Sequence, residues 1–126
     1  MNEKYKIAIV DDEQDVREIF VKILSDEFNV DFFEYSDAAY IIKEMHENKF
    51  DLILTDYSMP IVDGNAFIKI LRLTTNPNSE TPVMFITGKE PYLISDEKIS
   101  KNIYYIQKPF EARRILNYAK LCLLKN

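Results

Sequence analysis

Leu52-Ile53-Leu54-Thr55-Asp56-Tyr57-Ser58-Met59-Pro60 is the stretch on which the fold turns. Its first four residues form a short run without polar alternation, and an aspartate ends it. Such a run suits a strand covered on both faces, as in a parallel sheet. Three further runs end in the same way. Ile7-Ala8-Ile9-Val10 meets Asp11 and Asp12, Val83-Met84-Phe85-Ile86 meets Thr87, and Ile103-Tyr104-Tyr105-Ile106-Gln107 meets Lys108. Open α/β sheets bind ligands outside the carboxyl ends of their strands. Three carboxylates, a hydroxyl and an ammonium at that edge point to cation-assisted chemistry on a phosphate.

Helix-like segments alternate with these runs from end to end, the pattern of an α/β fold. Strands are expected at about 6–10, 29–34, 51–55, 82–86 and 103–107. Helices are expected at about 14–26, 65–73 and 110–124, with a second helix after Ser36 as N-cap. Val16, Ile19, Phe20, Ile23 and Leu24 form one apolar face of the first helix. Ala38, Ile41, Ile42 and Met45 do so for the second, and Phe67, Ile70 and Leu71 for the third. Residues 74–81 read as an irregular connection. A short fourth helix is expected from Pro91, where proline suits a first turn. Right-handed crossovers then imply a flavodoxin-like fold with a five-stranded parallel sheet in the order 2-1-3-4-5 and helices on both faces. In that order strands one and three are neighbours about 5 Å apart, so Asp11, Asp12 and Asp56 can meet.

The 126 residues suit one domain, residues 1–126, with no output domain expected after Asn126. No apolar run is long enough to span a membrane, and the N-terminus lacks the apolar core of a secretory signal. Cys122 is the only cysteine, which excludes an intramolecular disulfide and fits a reducing, cytoplasmic setting. With a net charge of −5 and no basic block, direct binding to nucleic acid is disfavoured.

Three close carboxylates raise one another's pKa or take up a cation. Oxygen ligands without histidine or cysteine favour Mg2+ over zinc. Mg2+ would hold one phosphoryl oxygen, Lys108 a second and the Thr87 hydroxyl a third, leaving catalysis to positioning and charge. Asp56, on the central strand, is the candidate nucleophile for an aspartyl phosphate. The chain has only Gly64 and Gly88 and no nucleotide-binding phosphate loop, so a bound nucleotide is not the expected phosphoryl donor.

The acidic pair Asp11-Asp12, the segment Leu52 to Pro60 followed by Asp63-Gly64, then Thr87-Gly88 and Lys108-Pro109-Phe110, in this order and spacing, resemble the receiver domain of bacterial two-component response regulators. The resemblance covers nearly the whole chain. It implies that Asp56 is the phosphoacceptor, that Asp11, Asp12, Asp56 and the Ser58 backbone carbonyl bind Mg2+, and that Thr87 and Lys108 bind the phosphoryl group. It further implies a cis bond at Lys108-Pro109, a switch in which Tyr105 follows the Thr87 hydroxyl, and readout through helix 4, strand 5 and helix 5. The donor would be a histidine kinase or a histidine phosphotransfer protein. Ser58 and Lys89 stand where the family varies and where the lifetime of the phosphoryl group is tuned. Asn102 stands where the family often has a small-Gly turn before strand five.

Other readings remain beside this one. Asp11 and Asp12 also suit the N-terminus of a helix. A phosphorylation-independent interaction module would share the fold but normally lose the acceptor or the lysine. A flavin binder would want a hydroxyl- and Gly-rich loop where Asp11-Asp12-Glu13 stands, and a phosphatase of the aspartyl-phosphate type an acidic residue at position 58. In helix five, Ile115, Leu116, Ala119, Cys122 and Leu123 form the expected buried stripe. Tyr118, Leu121 and Leu124 make a second apolar set, which with Tyr104 would meet a partner or a second copy, or are scattered surface residues.

Overall fold

The structure is a computed structural model describing residues 4–59, 61–88 and 95–124. Its elements are β1 (Tyr5–Val10), α1 (Gln14–Ser25), β2 (Val30–Tyr35), α2 (Ala38–Glu44), β3 (Leu52–Asp56), α3 (Gly64–Leu73), β4 (Val83–Thr87), α4 (Glu97–Ser100), β5 (Ile103–Gln107) and α5 (Ala112–Leu123). The five strands form one sheet in the order β2-β1-β3-β4-β5, and every neighbouring pair is parallel. The expected fold class and strand order hold.

Alternation along each strand feeds two cores. Ala8, Val10, Ile53, Val83 and Phe85 face α2, α3 and α4, packing with Ile41, Met45, Phe67, Ile68, Leu71 and Ile99. Ile7, Ile9, Leu52, Leu54, Met84, Ile86 and Ile106 face α1 and α5, packing with Phe20, Leu24, Ile115, Ala119 and Leu123. Because both faces are covered, β1, β3 and β4 need apolar residues at nearly every position, which is why their sequences read as unbroken runs.

Several local expectations are corrected. Asp37, not Ser36, caps α2: its carboxylate accepts from the N–H groups of Ala39 and Tyr40 at 2.9 and 3.3 Å. A carboxylate also interacts more favourably with the positive helix terminus than a hydroxyl does. In α1 the Phe20–Leu24 row meets the sheet, while Ile19, one position back around the helix, is 50% exposed. In α3, Ile68 and Arg72 are buried beside Phe67 and Leu71, and Ile70 only partly so. In α5, Leu116 and Cys122 are half-buried at the margin of the Ile115–Ala119–Leu123 stripe. The fourth helix, among the described residues, is a single turn capped by Asp96, whose carboxylate accepts from Lys98 N–H at 2.9 Å. The expected start at Pro91, together with Lys89 and Pro60, lies outside the described residues.

Residues 74–81 are irregular in backbone only. Asn78 is fully buried there, and its side chain joins the loops at the amino ends of the strands. Before β5, Asn102 takes a left-handed φ of 58°, a conformation that asparagine tolerates better than most non-glycine residues.

Candidate functional site

Register brings the expected residues to one edge. Val10 pairs with Thr55, so Asp11 and Asp56 follow as neighbours at the ends of β1 and β3. Asp56 pairs with Ile86, and Thr87 with Gln107, so Thr87 and Lys108 follow on β4 and just past β5. One oxygen from each of Asp11, Asp12 and Asp56 lies within 4.8 Å of the others. Lys108 Nζ stands 3.9 Å from Asp56 Oδ1. The Ser58 N–H donates to the same oxygen at 3.2 Å. Lys108 N–H donates to Thr87 O at 2.7 Å, tying the two strand ends together, and the Lys108–Pro109 peptide bond is cis.

Burial divides the three carboxylates. Asp11 is 2% exposed, Asp56 is half-buried and Asp12 is exposed. Burial pushes the Asp11 carboxyl above its usual range. The Glu13 N–H bond and Lys108 act the other way, while Asp56 and Asp12 add to the rise. At this spacing two carboxylates repel by on the order of 3 kcal/mol in a medium of effective dielectric about 20, less where water screens them. One lysine, itself 39% exposed, does not offset three such charges. The donor set is all oxygen and compact, and a small hard cation fits it. Asp11 Oδ1 accepts from Glu13 N–H at 2.9 Å, but Glu13 is the N-cap of α1 and no side chain caps that end, so neither Asp11 nor Asp12 caps the helix. The second Asp11 oxygen remains for other work.

Sequence reasoning missed what lies around this edge. Tyr57 sets its ring edge-on to Phe85 with centroids 5.1 Å apart. Phe85 stacks on Tyr105 at 5.7 Å and 20°, its direct cross-strand partner. An aromatic row therefore joins the residue after Asp56 to the half-buried Tyr105. Gly64 belongs to this row, because a Cβ there would stand 2.5 Å from Tyr57 Cδ1 and 2.8 Å from Phe85 Cε1. Ile61, fully exposed in the loop after β3, has φ 70°, a strained conformation for a β-branched residue. Arg17 was missed too. It binds the Asp11 carbonyl and Glu34, and the only sequence signal was opposite charge on two segments expected to adjoin.

Residues 7–120 match the family described as "Response regulator receiver domain", and the chain belongs to that family, a module of two-component signalling. It is similar to the response regulator receiver protein CpdR of Brucella abortus (strain 2308), with 30% identity over 121 residues that cover 94% of this chain and 97% of that one. It is also similar to the CAI-1 autoinducer sensor kinase/phosphatase CqsS of Vibrio cholerae, 27% identical over 89% of this chain but only 16% of that much longer protein. Among solved structures, the receiver domain of sensor histidine kinase PA1611 from Pseudomonas aeruginosa PAO1 superposes with a TM-score of 0.79 at 16% identity, covering 98% of this chain and all of that one. That structure holds a magnesium ion in its active site cleft. Among the described residues no helix is long and apolar enough to cross a membrane.

Proposed function

We propose that this receiver takes a phosphoryl group onto Asp56 from the phosphohistidine of a histidine kinase or a histidine phosphotransfer protein. The observation that carries the reading is the Asp11–Asp12–Asp56 cluster, compact to 4.8 Å, with Lys108 at 3.9 Å from Asp56. An Asp56 carboxylate oxygen forms a bond to phosphorus as the phosphorus–nitrogen bond breaks, and the electron pair leaves on the imidazole nitrogen, which takes up a proton. Lys108 and the Thr87 hydroxyl hold phosphoryl oxygens. Asp11, Asp12, Asp56 and the Ser58 carbonyl would hold Mg2+, which when bound would neutralise charge gathering on the transferring group. Catalysis extends only to the protein's own phosphorylation and dephosphorylation.

The signal leaves through α4, β5 and α5. Tyr105 is the switch, held on Phe85 and biased by the state of Thr87, so that phosphorylation shifts an existing equilibrium. Tyr118, packed on Tyr104 at 5.4 Å, lies beside Leu121 and Leu124, which are 56% and 58% exposed. This patch would receive a downstream protein or a second copy. A cytoplasmic location completes the reading. Asp56 and Lys108 both being present argues against a phosphorylation-independent module.

Intact mass after incubation with acetyl phosphate tests it. A gain of one phosphoryl group is expected with Mg2+, none without it, and none in Asp56→Asn. No gain from acetyl phosphate or from a phosphohistidine donor would leave the interaction module as the better account.

A further inference from the structure

The only buried carboxylate of the cluster is held through its backbone. Asp11 N–H donates to Tyr35 O at 3.0 Å, on the edge strand β2. The Asp11 carbonyl accepts from Arg17 Nη1 at 2.6 Å, a short bond with a charged donor. Arg17 Nε meanwhile donates to Glu34 Oε1 at 3.1 Å, near the end of β2. The Arg17 side chain is 15% exposed, so the guanidinium is largely withdrawn from bulk water. One planar group thus ties α1, the β1–α1 turn and β2 together. The turn cannot swing outward without breaking the bond at Asp11.

We propose that Arg17, locked by Glu34, is a positioning residue that presets Asp11 for the cation. The proposal rests on the reading that Asp11, Asp12 and Asp56 take up Mg2+. Mg2+ demands nearly ideal octahedral geometry at about 2.0–2.1 Å, so small displacements of a ligand are felt strongly. Outer partners of metal ligands typically alter affinity by about 10- to 100-fold. An ordinary surface ion pair would do neither; it would add little even to stability. The two roles therefore differ in what they move. A positioning role changes cation affinity in molecules that remain folded, beyond any change in fold stability.

The test is Mg2+ titration of the full chain, followed by amide NMR shifts, for wild type, Arg17→Met, Arg17→Lys and Glu34→Gln. Thermal midpoints are recorded without Mg2+. Arg17→Met is expected to weaken Mg2+ binding about tenfold and to lower the midpoint modestly. Glu34→Gln should weaken it less, and Arg17→Lys should recover part of the loss, since one ammonium can serve Asp11 or Glu34 but not hold both in a fixed plane. In phosphorylation assays the Arg17→Met loss should disappear at saturating Mg2+. Unchanged affinity in Arg17→Met and Glu34→Gln would overturn the proposal. If Arg17→Met does not fold, unchanged affinity in Glu34→Gln alone overturns it. Wild type that binds Mg2+ without being phosphorylated would sink the phosphoacceptor reading and spare this one, whereas wild type that binds no Mg2+ would sink both.

Discussion

The two ends of the sheet treat buried polarity in opposite ways. At the amino ends of the strands, Asn78 uses its whole side chain. Its Oδ1 accepts from Phe50 N–H at 2.7 Å and from the Thr81 hydroxyl at 3.0 Å, and its Nδ2 donates to Met45 O and Asn48 O at 2.7 and 2.6 Å. Lys49 Nζ closes the knot on Thr81 at 3.0 Å. At the carboxyl ends, three carboxylates crowd within 4.8 Å, one of them buried, and the loop beyond carries Ile61 in a strained backbone conformation. One end pairs most of its buried polar groups, Arg72 Nε excepted, and ties loops that are distant in sequence. The other keeps negative charge in excess. Paired polarity and excess charge are thus separated along the length of the strands, and a domain of this size can carry the second because it has the first.

Substitutions at each end sharpen the contrast. The largest effect is expected from Asn78→Ala, which strands the Phe50 N–H and two carbonyls in a dry region. It should cost about 3 kcal/mol in urea unfolding, without altering Mg2+ affinity in the fraction that remains folded. A cost near zero would mean that water replaces the amide.

Asp11→Asn should act in the opposite direction. Asparagine can still accept from Glu13 N–H but removes a buried charge. Because folding raises the Asp11 pKa, the folded state binds that proton more tightly than the unfolded chain does. The ionised group therefore costs stability at neutral pH. The cost fades as pH falls through the raised value and is gone below the ordinary carboxylate value. Without Mg2+, Asp11→Asn should be more stable than wild type at pH 7 and equal to it in acid. Excess Mg2+ should reverse the order, since only wild type keeps the full ligand set. Thermal melts at several pH values, with and without Mg2+, would show both changes.

The smallest effect is expected at Ile61. Glycine tolerates a φ of 70°, so Ile61→Gly should relieve up to ~1 kcal/mol of strain, partly offset by its greater freedom when unfolded. A modest rise in Tm, with phosphorylation intact, is the expected outcome. A fall in Tm would show that the left-handed conformation is not a cost at that position.

Buried parallel strands were legible in the sequence because covering both faces forces apolar residues at successive positions, as in Leu52-Ile53-Leu54 and Val83-Met84-Phe85-Ile86. Once strand order followed from right-handed crossovers, the ends of those runs brought Asp11, Asp12, Asp56, Thr87 and Lys108 to one edge. Helix margins were less legible. Ile19 and Ile70 satisfy a helical period yet lie at the rim, because periodicity gives a face but not how far the sheet extends beneath it.

By itself, then, the sequence determined the architecture and the reactive edge, since both follow from local periods and from residues placed directly after strands. Only the tertiary structure decided which polar side chains serve as struts. Arg72 is buried, reaching Ser79 O at 3.2 Å and Lys101 O at 2.9 Å. Asn78 joins residues about thirty positions away, and Arg17 spans from Asp11 to Glu34. A polar residue looks alike in sequence whether water or a distant carbonyl will satisfy it. Its partner is set by how loops from separate crossovers converge, and that convergence exists only once the sheet has assembled.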